Sequence, residues 1–369
     1  MSGERPLRLG FIALNDAAVL IAAKEKGFFA AEGLDVELSR QVSWATVRDK
    51  MSVGALDGAH MLAPTALAIS LGAAGAEATP LAAPLALNIN GPAITVASRL
   101  MAVIGEGQTA DGLARLVARR REEGASPITL AVVFPFSVHN YLLRDWLARA
   151  GIDPDRDVRL TIAPPSRMTE LLVGGVVEGF CVTEPWDTAA VAAGAGQVVV
   201  RGSQFWPRTP DKVFTVTEAW ANARPDELQA LARAMLRAGA WADDPANRAA
   251  LAMMLAQPDY VGAEAQVIEA SLADMIFHAG GASAPQPIHA AWLLSQMARW
   301  SHIDPTIDIE AVARRVYRPD LYAIAAAALG MPEAPPLEVL EGFGSERPFR
   351  LATAQAYADE ARSRRVSAG

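Results

Sequence analysis

His139, in the string FPFSVHNYLLRDWL, falls in the first turn of a helix that follows an apolar strand, a place from which a side chain reaches over the edge of a sheet. Ser137, two residues earlier, is a helix N-cap type, and hydroxyl and imidazole together could cup an anion. An isolated histidine there is more often simply packed, and such a serine often does no more than cap. Lys212 opens the strand KVFTVTEAW after a Gly- and Pro-bearing crossing, RGSQFWPRTPDK. A lysine is ordinarily a solvated charge, but at the mouth of a partly dry cleft it attracts an anion more strongly than in water. Trp44 can donate its indole N–H while its ring excludes water, or it can be core. Asn88 and Asn90 can supply amide donors or stabilise the turn into Gly91 and Pro92. His60 ends a strand and either lines the same cleft or is buried packing. Glu184 starts a helix with Pro185 and Trp186, where its carboxylate either ties two halves of the molecule together, accepts from His139 and holds it protonated, or is plain helix-start chemistry.

Catalytic signatures are missing: there is no GxSxG, HExxH, CxxC pair or P-loop. The single cysteine, Cys181, has no activating neighbour in sequence and no partner for an internal disulfide. The five histidines are scattered, so neither a metal site nor a cofactor is expected, and the chain reads as a non-enzyme. With 41 acidic against 33 basic residues, a net charge of -8 and no basic tract, direct nucleic-acid contact is excluded. The same charge means that any anion must be held by local donors against a repelling field.

The elements that would position these donors repeat. LRLGFIAL, DVELSR and GAHML read as strands separated by helices, and ITLAVVF, DVRLTIA and GFCV follow the same plan. ValGlyAlaLeuAspGly at 53–58 answers GlyGlyValValGluGly at 174–179, a register that matches His60 with Cys181. At 369 residues two lobes are expected. We read residues 1–95 plus 205–345 as lobe one, 96–204 as lobe two, and 346–369 as a partly ordered tail, with helices after Pro225 wrapping lobe one. Two α/β lobes with mainly parallel sheets would aim the helix starts near Asp16 and Ser137 into one cleft. The start of the chain has no signal-peptide pattern and no stretch suits a membrane span, so a cytoplasmic location is expected.

The strings LGFIALNDAAVLIAAKEKGFFAAEGLDVELSRQVSWATVRDKMSVGALDGAHMLAP, NINGPAIT, FPFSVHNYLLRDWLARAGIDPDRDVR and GFCVTEPWDTAAVAAG resemble the nitrate-binding subunits of ABC importers, a group that includes bicarbonate binders. The resemblance implies a type II periplasmic-binding-protein fold with a planar oxyanion in the interlobe cleft. It also implies that anion contacts fall on Trp44, His139 and Lys212. Relatives often carry a polar amide where this chain has Pro92, so that donor is either missing here or replaced by Asn90. Within this group the chain looks most like the cytoplasmic nitrate and nitrite sensor of bacterial nitrate assimilation operons. That likeness implies a partner, an RNA-binding antiterminator response regulator, held by the anion-free protein and released when nitrate or nitrite binds. The alternative is the substrate-binding subunit of a nitrate or bicarbonate importer. Enzymes on the same fold that make the thiamine pyrimidine carry a cysteine cluster that this chain lacks.

Overall fold

The computed structural model describes residues 5–73, 75, 77–105, 109–341 and 348–368. Strands β1 (Leu7–Phe11), β2 (Val36–Arg40), β3 (Gly58–Leu62) and β4 (Leu81–Ala86) come first. The chain then crosses over to β5 (Pro92–Ala97), β6 (Ile128–Val132), β7 (Val158–Ile162), β8 (Gly179–Thr183) and β9 (Gly196–Arg201), and returns with β10 (Lys212–Thr217). Two five-stranded sheets result, ordered β2-β1-β3-β10-β4 and β7-β6-β8-β5-β9. The orders correspond position by position. Central β3 answers β8, as the two Gly-bounded turns predict, and His60 and Cys181 are the third residues of these strands. β3 and β8 are buried at every residue because helices cover both faces, whereas edge strands β2 and β7 share a half-exposed pattern.

The sheets are mixed, not mainly parallel. β5 and β10 each enter from the opposite lobe and so run against their neighbours: β10 is antiparallel to β3 and β4, and β5 to β8 and β9. Only the pairings among β1, β2 and β3, and among β6, β7 and β8, are parallel. β5 belongs wholly to the second sheet, so the first crossing lies between Ala86 and Pro92, ahead of the boundary read at residue 95. The reason is visible in the turn. Asn90 takes a left-handed φ of 65°, and Gly91 follows at 101°, where an added Cβ would lie 3.0 Å from Thr183 Cγ2. This left-handed pair turns the chain one strand earlier than the β-branched run suggested.

After β10 the chain is mostly helical. The helix Pro225–Asp243 packs on the helix Ala18–Glu25 of lobe one, while Pro287–Arg299 packs on Ala63–Leu71 and also touches Val138–Arg149 of lobe two. Of the expected tail, residues 346, 347 and 369 lie outside the described residues. Phe349–Arg350 pairs with Val339–Leu340, and the helix Ala354–Ala368 buries Ala354 and Ala358 against Pro287–Arg299. Among the described residues no helix is long and apolar enough to cross a membrane.

Candidate functional site

Lys212, the first residue of β10, is fully buried between the lobes. Its ammonium lies 2.6 Å from Asp16 Oδ2, an ion pair, and donates hydrogen bonds to Asp211 Oδ2 at 2.5 Å and Thr183 Oγ1 at 3.2 Å. Asp16 sits in the single 3-10 turn Asn15–Ala17 that starts the Ala18–Glu25 helix, where the backbone amides favour a negative charge. Its second oxygen is 2.7 Å from His60 Nε2. His60 Nδ1 accepts from the Ile12 N–H at 3.4 Å, so Nε2 is the ring nitrogen on the Asp16 side. On the lobe-two side, His139 Nε2 is 2.6 Å from Thr183 Oγ1, and that hydroxyl donates to Asp211 Oδ2. Trp44 begins a helix capped by Ser43, and its ring lies 5.3 Å from His60 and 5.7 Å from the Lys212 ammonium. Buried polar atoms around this cluster without a hydrogen-bond partner include Trp44 Nε1, His139 Nδ1, Asp211 Oδ1, Tyr317 Oη and Asn15 Oδ1, while both Asp16 oxygens and His60 Nε2 make ion-pair contacts only.

The structure thus brings together Trp44, His60, His139 and Lys212 from four separate stretches of chain. It places three other expected residues differently. The Glu184 carboxylate turns into its own lobe, accepting from Thr188 N and Oγ1 at 2.9 Å each and from Arg201 Nη1 at 3.2 Å, so it does not hold His139 protonated. Glu184 does join the lobes, but through its backbone carbonyl, which accepts from Asn15 N–H. Asn90 is a brace at the crossing: its amide donates to Asp274 O and accepts from Thr209 N–H, both at 3.1 Å. Ser137 caps its helix by accepting from Asn140 N–H and donates to Phe134 O. Asn88 accepts from Lys212 N–H and donates to Asn90 O. Sequence reasoning missed Asp211 and Thr183, and it read Asp16 only as a helix-start residue. Asp211 is adjacent to Lys212 and was legible as a neighbour, whereas nothing local distinguishes Thr183. The lobes are closed on one another, with Trp186 Nε1 donating to Ala13 O at 3.0 Å and Thr65 Oγ1 to Phe136 O at 2.7 Å.

The model of the NMT1-like family matches residues 2–256. This chain belongs to the NMT1-like family. Among its relatives, the nitrate/nitrite binding protein NrtA of Synechococcus elongatus is 32% identical, with 87% of this chain and 77% of that protein aligned. The nitrate import ATP-binding protein NrtC of Synechocystis is 36% identical across 89% of this chain and 51% of its own length, so the chain spans about half of that relative. The crystal structure of the periplasmic nitrate-binding protein NrtA from Synechocystis PCC 6803 superposes with a TM-score of 0.90 at 30% identity, covering 96% of this chain and 98% of that one. The alkanesulfonate-binding protein SsuA from Xanthomonas axonopodis shares the fold at a TM-score of 0.61 and 16% identity. The architecture is therefore the periplasmic-binding-protein-like α/β fold that the sequence implied.

In this NMT1-like chain the electrostatics of the seam follow from burial. Burial alone would raise the Asp16 carboxyl, but the neighbouring Lys212 ammonium and the His60 imidazole bring it down to about 2. Burial pushes the His139 imidazole down to about 4; Asp211 opposes that, Lys212 adds to it, and Asp16 opposes it. His289, buried beside Trp206 and near Arg208, is pushed down to about 3. Both histidines titrate near 6.5 when unfolded, so between about pH 6.5 and 4 the unfolded chain binds more protons and stability falls with pH. The expected loss is up to about 1.4 kcal/mol per pH unit for each histidine. Thermal unfolding across pH 4–8 should show a Tm that declines through this window; a Tm that holds or rises towards pH 4 would contradict the two buried neutral imidazoles.

Proposed function

We propose that this chain is a non-catalytic solute-binding protein whose ligand is nitrate or nitrite, held where the lobes meet beside Trp44, His60, His139 and Lys212. The observation that carries this reading is the buried Lys212 ammonium at the seam, beside a Trp44 indole N–H with no protein partner. The ammonium offsets part of the charge of the two seam carboxylates, and a tryptophan N–H donates to an oxyanion without adding charge. The near-complete superposition on a nitrate-binding NrtA supports the same ligand class. An anion touching both lobes favours the closed state, and reversing a 1:99 balance requires about 5.5 kcal/mol of differential binding.

The relatives named for import favour the substrate-binding component of a nitrate importer as the role. The sensor reading uses the same seam, with closure releasing an RNA-binding antiterminator in the cytoplasm; its support is the string resemblance. Binding of the purified chain to such a regulator, weakened by nitrate, would select the sensor. Calorimetry and thermal unfolding with nitrate, nitrite, bicarbonate and sulfate test the ligand itself. Nitrate or nitrite at 100 times Kd should stabilise the chain by about 2.7 kcal/mol, a Tm rise of a few degrees, with no response to sulfate. Absence of any response to nitrate and nitrite would overturn the proposal.

A further inference from the structure

The seam is short of both charge and donors for an anion. Its two carboxylates, Asp16 and Asp211, outnumber its one ammonium, Lys212. The Lys212 ammonium already donates to Asp211 and Thr183 and is ion-paired with Asp16. A second negative charge entering this closed space would be buried without compensation, which is strongly unfavourable. One atom can correct both deficits. Thr183 Oγ1 gives its proton to Asp211, so it can only accept from His139, and the His139 proton lies on Nε2. His139 Nδ1 is then a bare lone pair, buried and unpartnered.

We infer that anion capture takes up one proton at His139 Nδ1, so that the ligand is held by an imidazolium that also hydrogen-bonds Thr183. The inference rests on the anion-binding reading above. The charged and titratable groups near His139 are Asp211 and Lys212 at the start of β10, and Asp16 on the lobe-one helix start, which is itself paired to His60. Arg144, on the same helix, is turned to Asp155. Burial keeps the nearby Cys181 thiol of β8 and the Tyr317 hydroxyl neutral. Competing proton acceptors are Asp211 Oδ1, also without a hydrogen-bond partner, and the Asp16 carboxylate, whose oxygens make ion-pair contacts only.

Titration of the full chain with potassium nitrate, in buffers of differing ionisation enthalpy at pH 7, reads the proton directly. The expected result is uptake approaching one proton, with affinity tightening about tenfold for each pH unit lowered between pH 8 and 6. In His139→Gln, whose amide still donates but cannot titrate, nitrate affinity should become independent of pH. Without any variant, the 15N resonance of His139 Nδ1 should move on nitrate addition from an unprotonated to a protonated imidazole nitrogen. Binding heat with no proton uptake overturns this inference and leaves the anion reading standing. Uptake lost in Asp211→Asn but kept in His139→Gln overturns the assignment to His139. No binding heat at all overturns the anion reading and this inference with it.

Discussion

Replacing Lys212 with methionine should destabilise the chain by about 3–5 kcal/mol and remove nitrate-induced stabilisation, because it leaves the Asp16 and Asp211 carboxylates buried without their shared cation. Methionine fills nearly the same volume, so the loss reads the charge and not a cavity. Asp16 keeps its contact with His60, which holds the loss below that of an isolated buried ion. Adding Asp16→Asn to Lys212→Met removes one of the stranded charges and should recover much of the stability without recovering binding. Urea unfolding and a nitrate titration of both variants check this. Lys212→Met with parental stability and an unaltered nitrate response would show that the ammonium neither holds the seam nor serves the ligand.

The second large effect is expected at Thr183, whose hydroxyl is shared by His139, Asp211 and Lys212. Thr183→Val keeps the shape and deletes the oxygen. It strands the His139 N–H and one Lys212 proton in a dry environment, and each unsatisfied group costs about 1–3 kcal/mol. Because the hydroxyl joins a lobe-two helix to the lobe-one lysine, affinity for nitrate should fall with stability, by about 100-fold if 2.7 kcal/mol of closure is lost. Thr183→Ser retains the oxygen and should lose only about 1 kcal/mol for the methyl group. Equal behaviour of the valine and serine variants would mean that the hydroxyl does not couple the lobes.

Much of the frame is legible before folding because it is written in local signals. Glycines at 54, 58, 174, 175 and 179 bound equivalent strands, apolar spacing separates helix from strand, and the repeated plan implies two lobes. The seam residues Trp44, His60, His139 and Lys212 were legible too, since strand ends and helix starts on such a plan face a common space. The errors were local ones of a different kind. Asn90 and Glu184 carry suitable polar atoms, but their nearest partners, Thr209 and Asp274 for one and Thr188 and Arg201 for the other, engage them elsewhere.

Residue order alone specifies two matched α/β halves, a crossing that delivers a lysine to the seam, and a surface too acidic to hold an anion by its overall field. The charge of the seam is set by packing. Asp16, His60, Thr183 and Asp211 are far apart along the chain, and the protonation of His139 depends on which of them lies within 4 Å of Lys212 or of its own ring. At that range, with water excluded, one carboxylate more or less reverses the sign of the local field, and no pattern of neighbours in sequence encodes such distances.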